Sequence, residues 1–351
     1  MRRLLVIGGG IVGASAAYFA ARRGFVVTLL DAGEGRSSDV PAALLNPVRG
    51  QSGKVEALSL KGLRQTWALI QELEVCGHVV PHGQTGVLRP VPDEKTRRKW
   101  QANLPAELPH RWRESTDLPP GWHSALEIPE GGWVSGAALV RVLKVASGAR
   151  LVRGRAAAIT GSGAVLEGGT TLAADQVICC GGSFGAAQFG VGRGVHRAGS
   201  LLLLDEAPEQ PLSFGAYLSP AQVGGVLGAT FETQVDSHAE ALALGLPLKS
   251  LDWLLDKGGP LPICAALASR AAGRACASRR CGADWTSQGC GTSAGWAARA
   301  SCWGHCWRGM WWREWRLRPR IVVPPVGTDD EPDGSGASIT LNPLWLTTAL
   351  H

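Results

Sequence analysis

Gly8, Gly10, Gly13 and Asp31 stand at a spacing that suits the binding of a dinucleotide. The run Gly8-Gly9-Gly10-Ile11-Val12-Gly13 satisfies G-x-G-x-x-G. In that pattern the first glycine permits a tight strand-to-helix turn, and the second lets backbone N–H groups approach a pyrophosphate. The third lets helix and strand pack closely. Asp31 lies 18 residues beyond Gly13, placed to accept hydrogen bonds from an adenosine ribose. Three elements must hold these residues. Leu4 to Ile7 is wholly apolar, as a strand buried on both faces of a parallel sheet requires. Ala14 to Arg23 is alanine-rich, favours a helix and ends at Gly24; Phe25 to Leu30 is a second apolar strand that closes on Asp31. A lone glycine motif is weak, whereas strand, glycines, helix, strand and terminal acid in register are strong. The bland alternative is a glycine-rich turn in a nucleotide-free α/β domain.

At 351 residues the chain is long enough for one large or two modest domains. The net charge of +6 is uneven: residues 258–320 hold ten Arg, no Lys and two acids, Asp284 and Glu314, which leaves the remainder near −2. Six of nine Cys and seven of fourteen Trp lie in the same tract, so the composition changes abruptly near Lys257. The N-terminus has the basic start and apolar stretch of a signal peptide, but three successive glycines would break the helix such a peptide needs. No run of about 18 apolar residues is present to span a bilayer. The expectation is a soluble cytoplasmic protein with reduced thiols.

Gly33 to Asp39 is polar and turn-rich, and the small, apolar Ala42-Ala43-Leu44-Leu45-Asn46-Pro47 would let a flat ring come close to backbone. Lys54 to Glu74 has helical periodicity, Gly86 to Val91 reads as a strand, and Asp93 to Leu104 as an amphipathic helix with an Asp cap. Ser135 can cap a helix over Gly136 to Ala146; Ala149 to Ile159 reads as a strand, Val165 to Leu172 as a hairpin strand, and Ala174 to Gly182 as an apolar strand ending in glycines. Cys179 and Cys180 would point to opposite faces of that strand, which favours inert core residues over a redox pair.

The order of these motifs resembles the D-amino-acid oxidase and glycine oxidase family of FAD-dependent oxidoreductases. The resemblance rests on Val6 to Gly13, Asp31, Gly132-Trp133-Val134 and Ala174 through Gly182, and covers residues 1 to about 257. The Ala42 to Pro47 stretch is also similar to the flavin-proximal segment of the FAD domain in a bifunctional tRNA wobble-uridine modifying enzyme of the same superfamily. Residues Val195 to Leu202 and Tyr217 to Glu232 resemble the family's antiparallel substrate domain, and the Gly224-Gly225 turn independently favours a β-hairpin.

The resemblance implies an α/β fold: a Rossmann-like FAD-binding domain with an inserted antiparallel substrate sheet. FAD-binding parts fall at about 1–80 and 130–190, substrate parts at about 81–129 and 191–257. Gly8, Gly10, Ile11, Val12, Gly13, Asp31, Ala32, Ser38 and Ala43 are candidate cofactor-binding residues, with Ala157, Gly181 and Gly182 as backbone-type candidates. Tyr217 falls where the family places a tyrosine over the substrate; a half-buried strand tyrosine is the competing reading. The implied reaction is hydride transfer from an amine or amino acid to FAD. The alternatives are modification of a tRNA wobble uridine, or a non-catalytic flavin-binding remnant with a basic tail.

The tract after Lys257 lacks the W-x-G-x-R motif and terminal glycine-rich loop that the family implies. Its Cys302, His305 and Cys306 match no tight metal-ligand pairing, and Arg interleaved with Trp could stack on single-stranded nucleic acid. A frame shift explains more. Trp and Met have single codons, so reading one base out of step forces Leu across Cys302-Trp303, Gly across Trp303-Gly304 and Val-Val across Met310-Trp311-Trp312. Residues 258–351 are therefore expected to be an aberrant, frame-shifted and poorly folded tract, with readthrough from Ile321.

Overall fold

The computed structural model describes residues 1–258, except 34–35, 51, 115, 117, 119–121, 191–195, 197 and 231–247. The expected frame-shifted tract lies outside the described residues, apart from Gly258. Met1–Lys257 fall within one compact unit.

Strand β1 (Arg3–Ile7), helix α1 (Ile11–Arg22) and strand β2 (Val26–Asp31) are the first elements. The helix starts earlier than its alanine-rich stretch because the Ala14 N–H closes the first turn on the Gly10 carbonyl at 2.9 Å. Strands β3 (Ala43–Leu45), β4 (Val48–Arg49) and β5 (Lys54–Val55) follow, then α2 (Ala57–Val75). The helix expected from Lys54 thus gives way at its start to an antiparallel pair, Val48 with Val55 and Arg49 with Lys54. Extended backbone at Glu56 separates that pair from α2.

Beyond α2 come β6 (His82–Gly83), β7 (Val87–Val91), α3 (Glu94–Asn103), β8 (Arg111–Glu114), β9 (Ser124–Ile128), β10 (Gly132–Val134) and α4 (Gly136–Ala146). Both expected caps are present: Asp93 accepts the Thr96 N–H at 2.7 Å, and Ser135 Oγ accepts the Ala138 N–H at 3.3 Å. The single strand expected over Ala149 to Ile159 is two, β11 (Arg150–Arg153) and β12 (Ala156–Thr160), in different sheets. Gly154, at φ +156°, stands at the break, and apolar patterning alone cannot mark such a change of sheet. Val165 to Leu172 likewise spans a hairpin, β13 (Gly163–Leu166) and β14 (Thr171–Ala173), whose turn brings the Leu166 N–H to the Thr170 carbonyl at 2.8 Å. The remaining elements are β15 (Gln176–Cys179), α5 (Gly182–Gln188), β16 (Leu201–Leu204), β17 (Leu212–Ser213), β18 (Tyr217–Pro220), β19 (Gly225–Gly228) and α6 (Leu248–Gly258).

A parallel sheet in the order β11-β2-β1-β15 forms the nucleotide-fold core. On one face Leu4, Val6, Val27 and Leu29 meet Ala16, Ala17 and Ala20 of α1, whose small side chains let the helix lie close. On the other face Leu5, Ile7 and Leu30 pack against Ala156, Ala164 and Ala174 of the β12-β13-β14 meander and its exit. This two-sided burial explains the unbroken apolar runs in β1 and β2.

A seven-stranded sheet, β16-β19-β18-β17-β7-β9-β8, draws together residues 87–128 and 201–228. Its pairs are antiparallel except β17 with β7, which join in parallel at Leu212 and Leu88. The expected Gly224-Gly225 hairpin is formed, with Pro220 opposite Gly225 and Gly224 at φ +62°. Arg89 is buried beneath this sheet, donating to the Val48 carbonyl and, at 2.6 Å, to the Gly50 carbonyl, with its guanidinium 4.7 Å from the Trp100 ring centre. Burial pushes that guanidinium down to about 10. Among the described residues, no helix is long and apolar enough to cross a membrane.

Leu29 is fully buried between α1 and the parallel sheet. Leu29→Ala is expected to destabilise the protein by about 2–5 kcal/mol, read as a lower urea midpoint.

Candidate cofactor and substrate site

The turn after β1 is closed by backbone contacts that leave no room for side chains. Gly8 has φ +103°, its N–H donates to the Leu30 carbonyl at 2.8 Å, and a Cβ there would land on the carbonyl of Cys180. A Cβ on Gly13 would strike the Gly8 carbonyl. The two glycines thus lock strand, turn and helix into one another, as the motif requires.

Gly10 is the N-cap of α1 and supplies no side chain to it. Ser38 supplies one from a distance, its Oγ accepting the Ile11 N–H at 3.0 Å. The N–H groups of Val12 and Gly13 have no acceptor among the described residues. Two such N–H groups at the positive end of a twelve-residue helix have the electrostatic character that suits an anion.

Asp31 closes β2 beside that helix end. Its Oδ1 accepts the N–H groups of Gly9 and Gly33, each at 3.3 Å. Its Oδ2 takes Arg36 Nη1 at 2.6 Å and Lys144 Nζ at 2.7 Å. Burial alone would raise the carboxyl, but the hydrogen bond and charge of Lys144, reinforced by Arg36, hold it below the usual carboxylate range. Sequence reasoning missed Gly9, Arg36 and Lys144. The third consecutive glycine was the available signal for Gly9, since a Cβ there would land on the Asp31 carboxylate and 2.6 Å from Lys144 Nζ. Lys144 lies 113 residues from Asp31, and only the packing of α4 against α1 brings it near.

Gly181 abuts the same turn, its Cα 2.8 Å from where a Gly8 Cβ would lie. Gly182, at φ +67°, faces open space, with nothing within 4 Å of a Cβ position. Ala32 is half-buried next to Asp31. Ala157 is exposed on β12 at a register shift between Ala156 and Ala158, away from the turn in sequence and sheet. Cys180 follows the end of β15 as a thiol that burial pushes up to about 12, which keeps it protonated, and both Cys179 and Cys180 are free. Among the described residues no grouping of His, Cys, Asp and Glu could hold a metal ion.

A second cluster joins the sheets. Ala43 of β3 pairs with Val134 of β10, and the preceding Ala42 is fully buried with Trp133, Leu201 and Val226. Tyr217 opens β18 and packs on this cluster, its hydroxyl donating to the Ala42 carbonyl at 3.2 Å. Burial holds the phenol well above its usual range. Tyr217 and Ala43 are therefore brought together, and Tyr217 is held by backbone rather than free in a cavity.

Residues 3–258 match the family model described as FAD dependent oxidoreductase. The chain belongs to this family. A family member, the tRNA 5-methylaminomethyl-2-thiouridine biosynthesis bifunctional protein MnmC of Chromobacterium violaceum, is 29% identical over 304 residues, which cover 74% of this chain and 44% of that protein. The Delftia acidovorans MnmC is 34% identical over 169 residues, covering 42% of this chain and 25% of that protein. The chain thus spans between a quarter and under half of the length of these curated relatives. Among solved structures, glycine oxidase from Geobacillus kaustophilus superposes with TM-score 0.60 at 22% identity, covering 74% of this chain and 78% of that one. Iminodiacetate oxidase from Chelativorans sp. BNC1 superposes at 0.63 and 23%, covering 76% and 80%. The family is FAD-dependent, and the bare glycine turn, the open N–H groups of α1 and the acid at the end of β2 fit the ADP half of FAD.

Because the folded state holds Asp31 below its ordinary 3.8, the stability it contributes is complete above that pH and is lost as pH falls through the lower folded value. Asp31→Asn is expected to lower the urea midpoint at pH 7, with the gap from wild type closing below pH 3.8.

Proposed function

We propose that residues 1–257 are an FAD-dependent oxidoreductase that oxidises an amine or amino acid, with the FAD-binding parts at about 1–80 and 130–190 and the substrate parts at about 81–129 and 191–257. The observation that carries this reading is the open N-terminus of α1, set between Asp31 and the glycine turn within a family match that covers most of the chain. The names of the structural neighbours favour an amine, since glycine and iminodiacetate each carry a C–H bond beside a nitrogen.

Val12 and Gly13 N–H groups would hold the pyrophosphate, with Gly8 and Gly10 keeping the approach clear. Asp31 would take the ribose, and Ala32, Ser38, Gly181 and Gly182 would line the approach. Ala157, left out of its ladder by the register shift, would offer backbone to the adenine. Bound FAD supplies the two-electron acceptor for hydride from the carbon beside a neutral amine, and water hydrolyses the imine left behind. The chain's contribution is orientation and exclusion of water. Tyr217 holds the Ala42-Ala43 stretch from the substrate side, which fixes the wall against which a flat ring would lie.

The names of the curated relatives support a second substrate, a modified wobble uridine of tRNA that carries an amine. One assay separates the readings: the purified protein is offered a panel of amines and amino acids, and separately tRNA, while peroxide release and dye reduction are followed. Turnover of a small amine supports the first reading, turnover of tRNA alone the second, and flavin absorbance near 450 nm without turnover supports a non-catalytic remnant. Tyr217→Phe is expected to lower turnover about tenfold, the worth of roughly one hydrogen bond.

The tract from 258 onward is read as out of frame, because the family match ends at residue 258, where Arg, Trp and Cys become abundant. Sequencing the coding DNA is expected to reveal a shifted frame near Lys257 to Ile263. Tryptic peptides from 264–320 together with an uninterrupted frame would refute that.

A further inference from the structure

Lys144 is an unusual residue for its place. It sits in the last turn of α4, among residues that pack against Ala14 and Tyr18 of α1, and its side chain is only 12% exposed. A cation so enclosed needs a carboxylate, and Lys144 reaches one across 113 residues, Asp31 Oδ2 at 2.7 Å. Its Nζ also stands 2.6 Å from where a Cβ on Gly9 would lie, so the ammonium abuts the glycine turn. Arg36 bridges Asp31 Oδ2 and, at 2.9 Å, Asp39 Oδ2. Two cations and two acids thus form a neutral group of four on this rim.

The two oxygens of Asp31 are held unequally. Oδ2 carries both charge-assisted bonds, at 2.6 and 2.7 Å, while Oδ1 takes two long backbone contacts at 3.3 Å. Charge-assisted bonds of that length are the strong ones, and contacts of 3.3 Å are weak. Oδ1 is therefore the oxygen that can exchange its partners for ribose hydroxyls without loss of the rim, and Oδ2 is the one that fixes the carboxylate plane. Arg36 is tethered to the neighbouring turn through Asp39, whereas Lys144 comes from a helix packed in the core.

We propose that Lys144 is a positioning residue for the ADP half of the cofactor: from α4 it pins Asp31 Oδ2 and so presents Oδ1 to the adenosine ribose. This rests on the dinucleotide reading of the site and not on the identity of the substrate, so the test is one of binding and involves no amine. Flavin-free full-length protein is titrated with ADP by calorimetry, comparing wild type, Lys144→Met, Lys144→Arg, Asp31→Asn and the Lys144→Met/Asp31→Asn double variant. The urea midpoint of each ligand-free protein is measured alongside.

Lys144→Met is expected to weaken ADP binding about tenfold, and Lys144→Arg, which keeps the charge, by less than about threefold. The double variant is expected to bind no more weakly than Asp31→Asn alone, because Lys144 acts through that carboxylate. An unchanged ADP affinity in Lys144→Met overturns the proposal, as does a loss that follows the urea midpoint in every variant or an additive double variant. Absence of ADP binding by the wild type overturns it together with the dinucleotide reading, while failure of amine turnover alone leaves the binding result standing.

Discussion

The site depends on one steric constraint: the backbone of the β1–α1 turn lies directly against the end of β15. Gly8 rests on Cys180 and Gly181, and Gly13 rests on the carbonyl of Gly8, with no space at either for a methyl group. That contact sets where α1 begins and therefore where its free N–H groups point. It also ties two stretches more than 160 residues apart into one rim, since β15 pairs with β1 from Leu4 opposite Gln176 to Ile7 opposite Cys179.

Electrostatics completes what sterics begins. The helix end offers positive potential for a pyrophosphate, and the carboxylate of Asp31 is kept ionised beside it by Lys144 and Arg36. On the other side of the Ala42-Ala43 stretch, the seven-stranded sheet packs Leu201 and Val226 on Ala42 and adds the phenol-to-carbonyl hydrogen bond from Tyr217. The β3-β10 pair and the seven-stranded sheet thus meet at a small-residue segment.

Much of this was legible from residue order. The unbroken apolar runs at Leu4 to Ile7 and after Phe25 announced a sheet buried on both faces, and the glycines and Asp31 followed in register. The caps at Asp93 and Ser135 were readable because a cap is a local hydrogen bond. The structure departs from the pattern at two places where apolar residues run on through a break: at Glu56 strand β5 gives way to helix α2, and at Gly154 the chain changes sheet. Lys144 and Arg36 were invisible, because a surface-type cation acquires meaning only when packing of α4 on α1 carries it to a particular carboxylate. Resemblance points to Tyr217, yet its hydroxyl bonds a backbone carbonyl, a partner no side-chain pattern encodes.

The central claim is the placement of a dinucleotide on the glycine turn, and diffraction from crystals grown with FAD tests it most directly. The account predicts a pyrophosphate on the N–H groups of Val12 and Gly13 and a ribose hydroxyl within about 3 Å of Asp31 Oδ1. Density for the dinucleotide elsewhere, or a bound ribose that leaves Asp31 untouched, would contradict it.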